Sequence, residues 1–229
     1  MTVREMQIAF DMHIQLVSKE LEISDKPDSY TILYFLNRAQ ENYIKENYLS
    51  NGQIQDNIEF IQKRSDTLRN LITRYTGTES PTALTSTEVD GGIELDLPDD
   101  YLYYIKSFSF ATNTLIGATT KVWTPNRVVS HEEIDRITNG LFNKPILRKP
   151  CVVFEDNEKV ILYKDMDTDI FNYSYIYLRK PLDLSIETPI PTETTNECEL
   201  DPYTHQDIVE LAVKMFIEDY KFKASNPQQ

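Results

Sequence analysis

Residues 2–21 read TVREMQIAFDMHIQLVSKEL, and this stretch begins the part of the chain that organises the fold. Thr2 and Glu5 have the T-x-x-E spacing of a capping box, in which each side chain accepts a hydrogen bond from the other residue's backbone amide. Mainly apolar residues then recur at steps of three and four: Val3, Met6, Phe10, His13, Val17 and Leu21. The pattern predicts an amphipathic helix that begins at the capping box.

A second apolar line on the same predicted helix consists of Ile8, Met12 and Leu16. It widens the apolar arc beyond what a single packing groove needs, since one groove is filled by a single stripe of a helix. We therefore expect this helix to contact more than one neighbour.

Two further helices are predicted in the first 77 residues. Helix two is expected to begin at a cap on Asp28 or Ser29 and to end near Asn51 and Gly52, which suit a left-handed C-terminal cap. Its apolar face is Ile32, Phe35, Leu36, Ala39 and Tyr43. Helix three has an apolar face of Ile54, Ile58, Ile61, Leu68, Leu71, Ile72 and Tyr75, and is expected to stop at Gly77.

The opposite face of helix three carries the one cationic cluster in the chain, formed by Lys63, Arg64, Arg69 and Arg74. A cluster of this kind is typical of a solvated helix face. Its functional interpretation is a dock for an acidic partner surface, such as the C-terminal region of a sister copy.

From Thr78 the composition changes, and alternating or short apolar runs predict strands. The predicted strands cover 93–97, 105–111, 122–129, 151–154, 160–163 and 170–178, with a turn at 98–101 and a short helix at 131–140. Pro125 predicts an edge or a bend within its strand. The run 170–178 has apolar or aromatic residues at both parities, which is typical of a central strand covered on both faces.

A final helix is predicted from Tyr203 to Lys223, capped by Thr204 with Asp207, and its apolar face is Ile208, Leu211, Ala212, Met215 and Phe216. The fold class is therefore α+β, a bundle of the three N-terminal helices and the C-terminal helix around an inserted β-rich domain. The predicted divisions are the N-terminal helices at 1–77, the β-rich domain at 78–200, the closing helix at 201–223 and a flexible tail at 224–229.

The charge of the chain limits its partners. The net charge is -14, and residues 183–229 hold ten acidic but only three basic groups. Such acidity argues against binding a nucleic-acid backbone, which needs clustered Lys and Arg, and against anionic membranes. It fits either simple solubility or the lining of a passage through which DNA slides without sticking. With no long apolar run and no leader pattern, we expect neither a membrane span nor a signal peptide.

Chemistry-bearing patterns are sparse. Cys151 and Cys198 are expected to be reduced thiols, and His13, His131 and His205 share no short metal spacing. The acidic run 165–169 lacks the glycine and distal glutamate of a calcium loop, and no nucleophile elbow or phosphate-binding loop occurs. We therefore expect a protein that is not an enzyme, with no catalytic residue, metal or cofactor.

Five segments, taken in their order along the chain, resemble a known family. They are residues 2–8 (TVREMQI), 34–40 (YFLNRAQ), 64–71 (RSDTLRNL), 97–102 (LPDDYL) and 198–209 (CELDPYTHQDIV). Together they resemble a structural protein of the crAss-like bacteriophages of gut Bacteroidetes, the ring or head-to-tail connector component that sits beneath the portal.

The resemblance implies an adaptor-like fold and a ring of twelve copies around the DNA channel, in the neck or tail of a virion assembled in the host cytoplasm. It implies contacts with the portal and with other ring, tail or collar proteins, while genomic DNA passes without specific binding. In such a ring we hypothesise an ionic contact between Lys63, Arg64, Arg69 and Arg74 of one copy and Glu193, Glu197, Glu199 and Asp201 of the next.

The aromatic strand offers a second candidate surface, formed by Tyr173, Tyr175 and Tyr177, which would dock other neck or tail proteins. An alternative function uses the same three rings as a stacking platform in a soluble carbohydrate- or peptide-binding module of a phage tail or collar. A more distant alternative is a degenerate hydrolase that uses Asp99, Asp100 and a histidine.

Overall fold

A computed structural model describes residues 1–21, 27–49, 66–77, 92–113, 121–140, 145, 149–155, 159–164, 167–185 and 197–225. Its helices are α1 (Val3–Leu21), α2 (Ser29–Leu49), α3 (His131–Asn139) and α4 (His205–Ser225), with 3-10 helices at Arg69–Leu71 and Pro202–Thr204. Its strands are β1 (Ile72–Thr76), β2 (Gly92–Asp96), β3 (Tyr101–Asn113), β4 (Val122–Pro125), β5 (Arg127–Val128), β6 (Cys151–Phe154), β7 (Lys159–Tyr163) and β8 (Thr168–Arg179). The mixed α+β class is confirmed.

The chain divides into two compact units. The helical unit takes residues 1–71 and 180–229, and the β unit takes residues 72–179. The boundaries predicted at 78 and 200, with the closing helix to 223 and the tail at 224–229, stay a prediction.

The start of α1 has the expected capping box. The Thr2 amide donates to the Glu5 carboxylate at 3.0 Å, and the Glu5 amide donates to the Thr2 hydroxyl at 3.2 Å. These bonds satisfy two amides that a helix start would otherwise leave unpaired. The inner stripe is buried along the helix: Val3, Met6, Phe10 and Ile14.

Three helices of the helical unit meet at Phe216 of α4. Its ring lies edge-on to Phe10 of α1, with centroids 5.8 Å apart, and to Phe35 of α2, with centroids 5.4 Å apart. Edge-to-face pairs of this kind add to the free energy gained by burying the rings. The predicted apolar positions Ile208, Ala212 and Phe216 are confirmed as buried, and Val209 and Val213 join them.

Asp28, one of the two predicted caps, directly precedes helix α2 and caps its first turn. The Thr31 amide donates to the Asp28 carboxylate at 2.8 Å. Hydrogen bonds from Thr31 favour the charged form and hold the pKa of Asp28 below its ordinary value. Ile32, Phe35, Leu36 and Ala39 are buried as predicted. The predicted helix end at 51–52 lies outside the described residues.

Residues 180–185 have no helix or strand, and side chains of α2 contact their backbone. The Asn37 side chain accepts from the Leu184 amide at 2.7 Å and donates to the Leu184 carbonyl at 3.4 Å. Gln40 donates to the Leu182 carbonyl at 3.3 Å. Side chains of α2 thus supply the backbone partners that a sheet or helix would otherwise provide.

In the part of the β unit that the structure describes, the strands form two four-stranded sheets, in the orders β1-β8-β3-β4 and β2-β7-β6-β5. β8 pairs with β1 on one side and β3 on the other, which confirms its predicted central position. Side chains of both sheets share one core, in which Val152, Val160 and Leu162 of the second sheet meet Ile170 and the β8 tyrosines of the first. Helix α3 covers the other face of the second sheet through Ile134 and Ile137.

The chain changes sheets directly after Pro125. β4 ends there at the edge of the first sheet, and β5 begins two residues later at the edge of the second, as the proline predicts. Asn126 holds the crossing: it accepts from the buried Ser109 hydroxyl at 2.7 Å and donates to the buried Ser107 hydroxyl at 2.9 Å. The Tyr104 hydroxyl donates to Ser107 at 2.9 Å.

The prediction for the end of helix three is wrong. Residues 66–71 form a helical turn and a 3-10 turn, but residues 72–76 form β1, which pairs antiparallel with β8. The stretch Ile-Thr-Arg-Tyr-Thr is rich in β-branched and aromatic residues, and the pairing with β8 decides their conformation. The first half of the predicted helix, residues 54–65, lies outside the described residues.

Candidate interaction surfaces

The three histidines have structural contacts. The buried His205 donates from Nε2 to the Leu200 carbonyl at 2.9 Å, and its Nδ1 lies 2.9 Å from the Met1 carbonyl oxygen and 3.0 Å from the Met1 amine. His131 donates to the Phe154 carbonyl at 2.6 Å, and the Gln206 amide lies 3.3 Å from His13 Nε2. Among the residues that the structure describes, no three His, Cys, Asp or Glu side chains are arranged to hold a metal ion.

The three tyrosines predicted as a docking surface lie inside the β unit. Tyr173, Tyr175 and Tyr177 are 4%, 1% and 3% exposed and belong to the core between the sheets. Their neighbouring rings contact one another along β8, with centroids 5.4 and 5.5 Å apart. In this fold the rings offer neither a docking surface nor a stacking platform for a sugar, because the second sheet covers them.

The hydroxyls of these tyrosines differ in their surroundings. Tyr177 donates to the Asp100 carboxylate at 2.8 Å, whereas the buried Tyr175 hydroxyl has no hydrogen-bond partner among the described residues. Burial raises the pKa of Tyr173 and Tyr175 above the ordinary value, and burial followed by the Asp100 contact raises the pKa of Tyr177 to about 12. All three rings therefore stay neutral over the physiological range.

The predicted ionic partners have contacts within their own units. Arg69 pairs with Asp66, and Arg74, on β1 rather than on a helix, donates to the Ser174 hydroxyl at 3.2 Å. Glu197 accepts from the Val3 amide at 2.7 Å, and Glu199 accepts from the Leu182 amide at 2.9 Å. The Asp201 carbonyl accepts from the Thr204 amide at 2.8 Å. Lys63, Arg64 and Glu193 lie outside the described residues.

The second apolar line of α1 is exposed. Ile8, Met12 and Leu16 are 54%, 62% and 73% exposed and follow one another at four-residue steps. At 3.6 residues per turn they lie on the opposite side of the helix from Phe10 and Ile14. We call these three residues the α1 stripe. A helix that packs in one core through one face has no need of apolar residues on the other.

A second exposed line runs along α2. Tyr30, Tyr34 and Arg38 also follow at four-residue steps, and the two tyrosines are 77% and 58% exposed. Together with Thr31, Phe35 and Asp219 of α4 they line a groove of about 430 Å³. We call it the α2–α4 groove. Tyr and Arg are the residues that most often dominate binding energy at protein interfaces.

The outer face of the first sheet carries an aromatic patch that sequence patterns did not single out. The Trp123 ring lies 5.0 Å from that of Phe110, and the Lys121 ammonium lies 3.9 Å from the centre of the Phe171 ring. A cation over an aromatic face is attracted by the ring quadrupole. The sequence does not reveal this patch, because it depends on the pairing of Trp123 in one strand with Phe110 in another.

The described residues of this α+β fold contain no recognisable chemical site, but they expose several apolar and aromatic side chains. This combination is typical of a protein that works through contacts with other proteins. None of the described helices is long and apolar enough to span a bilayer. The family model of phage tail ring protein 3/4 matches residues 1–228, and the chain belongs to this family of crAss-like phage ring proteins. A comparison with curated proteins found no similar sequence. The predicted resemblance to a crAss-like ring protein is confirmed, and the chain is a structural ring protein of the virion.

Proposed function

We propose that this ring protein is a head-to-tail connector, which forms a ring beneath the portal and provides both a conduit for DNA and a platform for tail proteins. The observation that carries the proposal is the family match over nearly the whole chain. In this role the helices of 1–77 and 201–223 act as an adaptor-like bundle that carries the β-rich insertion.

The net charge of -14 supports the conduit. DNA binds proteins mainly by exchanging condensed counterions for Lys and Arg side chains. A ring whose surface carries an excess of carboxylates repels the phosphates instead, so the genome slides through during packaging and ejection without being held.

The proposed assembly has twelve copies around the channel, lies in the neck of the virion and forms in the host cytoplasm. Its partners are the portal on one side and other ring, tail or collar proteins on the other. Because a ring is built from heterologous contacts, each copy must present two different surfaces to its neighbours.

An ionic contact between copies is part of the proposal. The basic group comprises Lys63, Arg64, Arg69 and Arg74, and the acidic group comprises Glu193, Glu197, Glu199 and Asp201. The Glu197 and Glu199 carboxylates already accept backbone amides, so changing them would disturb the monomer as well. The better test reverses Arg69, which is exposed and pairs with Asp66 three residues earlier. An Arg69→Glu variant that assembles at undiminished yield would remove Arg69 from the contact.

Light scattering on the purified protein, alone and mixed with the portal, tests the connector role. In the mixture we expect a complex with the mass of one portal plus one closed ring. We also expect the assembled ring to retain no duplex DNA at any salt concentration. A protein that ignores the portal while binding another purified tail component would place the ring elsewhere in the tail and refute the connector role.

A further inference from the structure

The α1 stripe and the α2–α4 groove are two different exposed surfaces on the same helical unit. Both extend over eight residue steps, from residue 8 to 16 and from residue 30 to 38, which corresponds to about 12 Å of helix at 1.5 Å per residue. One surface is convex and apolar, and the other is concave and lined by two tyrosines. They therefore match in length and in shape.

We propose that the α1 stripe of one copy docks into the α2–α4 groove of the next copy and forms the principal contact of the ring. The proposal rests on membership of a ring family, since a ring requires two complementary surfaces on every copy. A helix that lays its apolar face into a groove is a common way for proteins to bind a helical partner.

Charges at the two surfaces support a second copy as the occupant. Arg4 and Glu5 are both exposed at the N-terminal end of the α1 stripe. The groove has Arg38 and Asp219 in its lining, so it too presents one charge of each sign. In an antiparallel arrangement Glu5 lies near Arg38, at the end of the groove away from Tyr30. Such complementary charges set the register of the contact more than its affinity.

The area of the contact predicts weak binding between two isolated copies. Stable interfaces bury about 1,200–2,000 Å² in total, and two helix faces of about two turns each bury less than that. Each copy in a closed ring makes the contact twice, so a closed ring is far more stable than a free pair. Wild-type protein alone is therefore expected to be mainly monomeric when dilute.

The first experiment weakens the contact in the full-length chain. Met12→Glu places a carboxylate in the centre of the α1 stripe, and we expect ring formation to require about tenfold more protein or beyond. Val128→Glu is the matched control: Val128 is an exposed apolar residue of similar accessibility in the β unit, and the charge change is the same. Circular dichroism checks that both variants fold. Equal ring formation by Met12→Glu and Val128→Glu would overturn the proposal.

The second experiment identifies which surfaces meet, and it needs no portal, so its result is separate from the connector role. Met12→Cys and Tyr34→Cys are combined in one chain and treated at high concentration with a short bis-maleimide. We expect a ladder of cross-linked copies from the double variant, and only background from each single variant and from the wild type with its Cys151 and Cys198.

Three results would overturn the proposed contact. Cross-linking of Met12→Cys with itself would mean that two stripes meet in a symmetric pair. A double variant no different from the wild type, under conditions where rings form, would mean that other surfaces join the copies. A Met12→Glu variant with normal rings but weaker portal binding would assign the stripe to the portal.

Discussion

Replacing Tyr175 by Phe is expected to stabilise the β unit. The Tyr175 ring is buried and stacks on Tyr75 with centroids 4.9 Å apart, while its hydroxyl has no partner among the described residues. Phe keeps the ring and its packing but removes the buried polar atom. The matched variant is Tyr177→Phe, in which the ring also stays but the 2.8 Å hydrogen bond to Asp100 is lost.

The two changes should have opposite signs. A buried hydroxyl without a partner costs about 1–3 kcal/mol, so Tyr175→Phe should raise the free energy of unfolding by about 1 kcal/mol. A hydrogen bond to a charged acceptor contributes about 1.5–3 kcal/mol, reduced for Tyr177 because the partly exposed Asp100 regains water. Tyr177→Phe should therefore lower the free energy of unfolding by about 1 kcal/mol.

Urea unfolding monitored by fluorescence and by circular dichroism measures both variants against the wild type. At this chain length about 1 kcal/mol corresponds to a shift of roughly 2–4 °C in the melting temperature. A Tyr175→Phe variant that is destabilised as much as Tyr177→Phe would refute the reasoning, because its hydroxyl would then have a favourable partner in the folded protein.

Three other predictions concern the stability of the folded protein at alkaline pH, the capping box at Thr2 and the hydrogen bonds of Asn126. The pKa of Tyr173, Tyr175 and Tyr177 is raised in the folded state. Their contribution to the free energy of unfolding is therefore complete below pH 10. It is lost as the pH rises towards 12, by up to about 1.4 kcal/mol per pH unit for each ring. Denaturation at stepped alkaline pH checks this, and a pH-independent free energy there would contradict it. Thr2→Ala removes half of the capping box and should cost about 1 kcal/mol in urea unfolding, whereas Thr2→Ser should be neutral; equal losses would show that the hydroxyl is not responsible. Asn126→Ala leaves the Ser107 and Ser109 hydroxyls without that partner and should cost about 2–3 kcal/mol, with faster hydrogen exchange in β4; a loss under about 0.5 kcal/mol would contradict it.

Local patterns predicted the parts of the fold that local interactions determine. The capping box at Thr2 and the cap at Asp28 involve residues three positions apart, so the sequence contains both partners. The strands β2, β6 and β7 also follow from short alternating or apolar runs. Pro125 marks the change of sheet because a proline cannot donate to a strand partner on that side.

β1 shows where local patterns fail. Leu68, Leu71, Ile72 and Tyr75 have helical spacing, so periodicity favours a helix to the end. The deciding interaction is the antiparallel pairing of Ile72 with Leu178, about a hundred residues away. Strand preference depends on such neighbours, and no window of the sequence around residue 72 contains them.

Among the candidate surfaces, too, local patterns predict some correctly and fail for others. The second apolar line of α1 is visible in the sequence because it depends only on helix geometry, and the structure places all three of its residues in solvent. The three tyrosines of β8 share one face, but their alternation alone does not tell whether that face meets solvent or the second sheet, which covers it in the structure. Glu197 and Glu199 were expected to face a neighbouring copy on charge alone; Glu197 is exposed, but both carboxylates also accept backbone amides, those of Val3 and Leu182.

The pairing of Ile72 with Leu178 places the first residue of the β unit directly across from one of its last. Paired residues in antiparallel strands have Cα atoms only about 4.5–5.5 Å apart. The β unit is therefore joined to the rest of the chain by two adjacent strand ends, and a short turn could close the gap if the unit were cut out. With such an attachment, the whole β unit can be exchanged, enlarged or deleted during evolution, while the helices before and after it keep their order in the sequence.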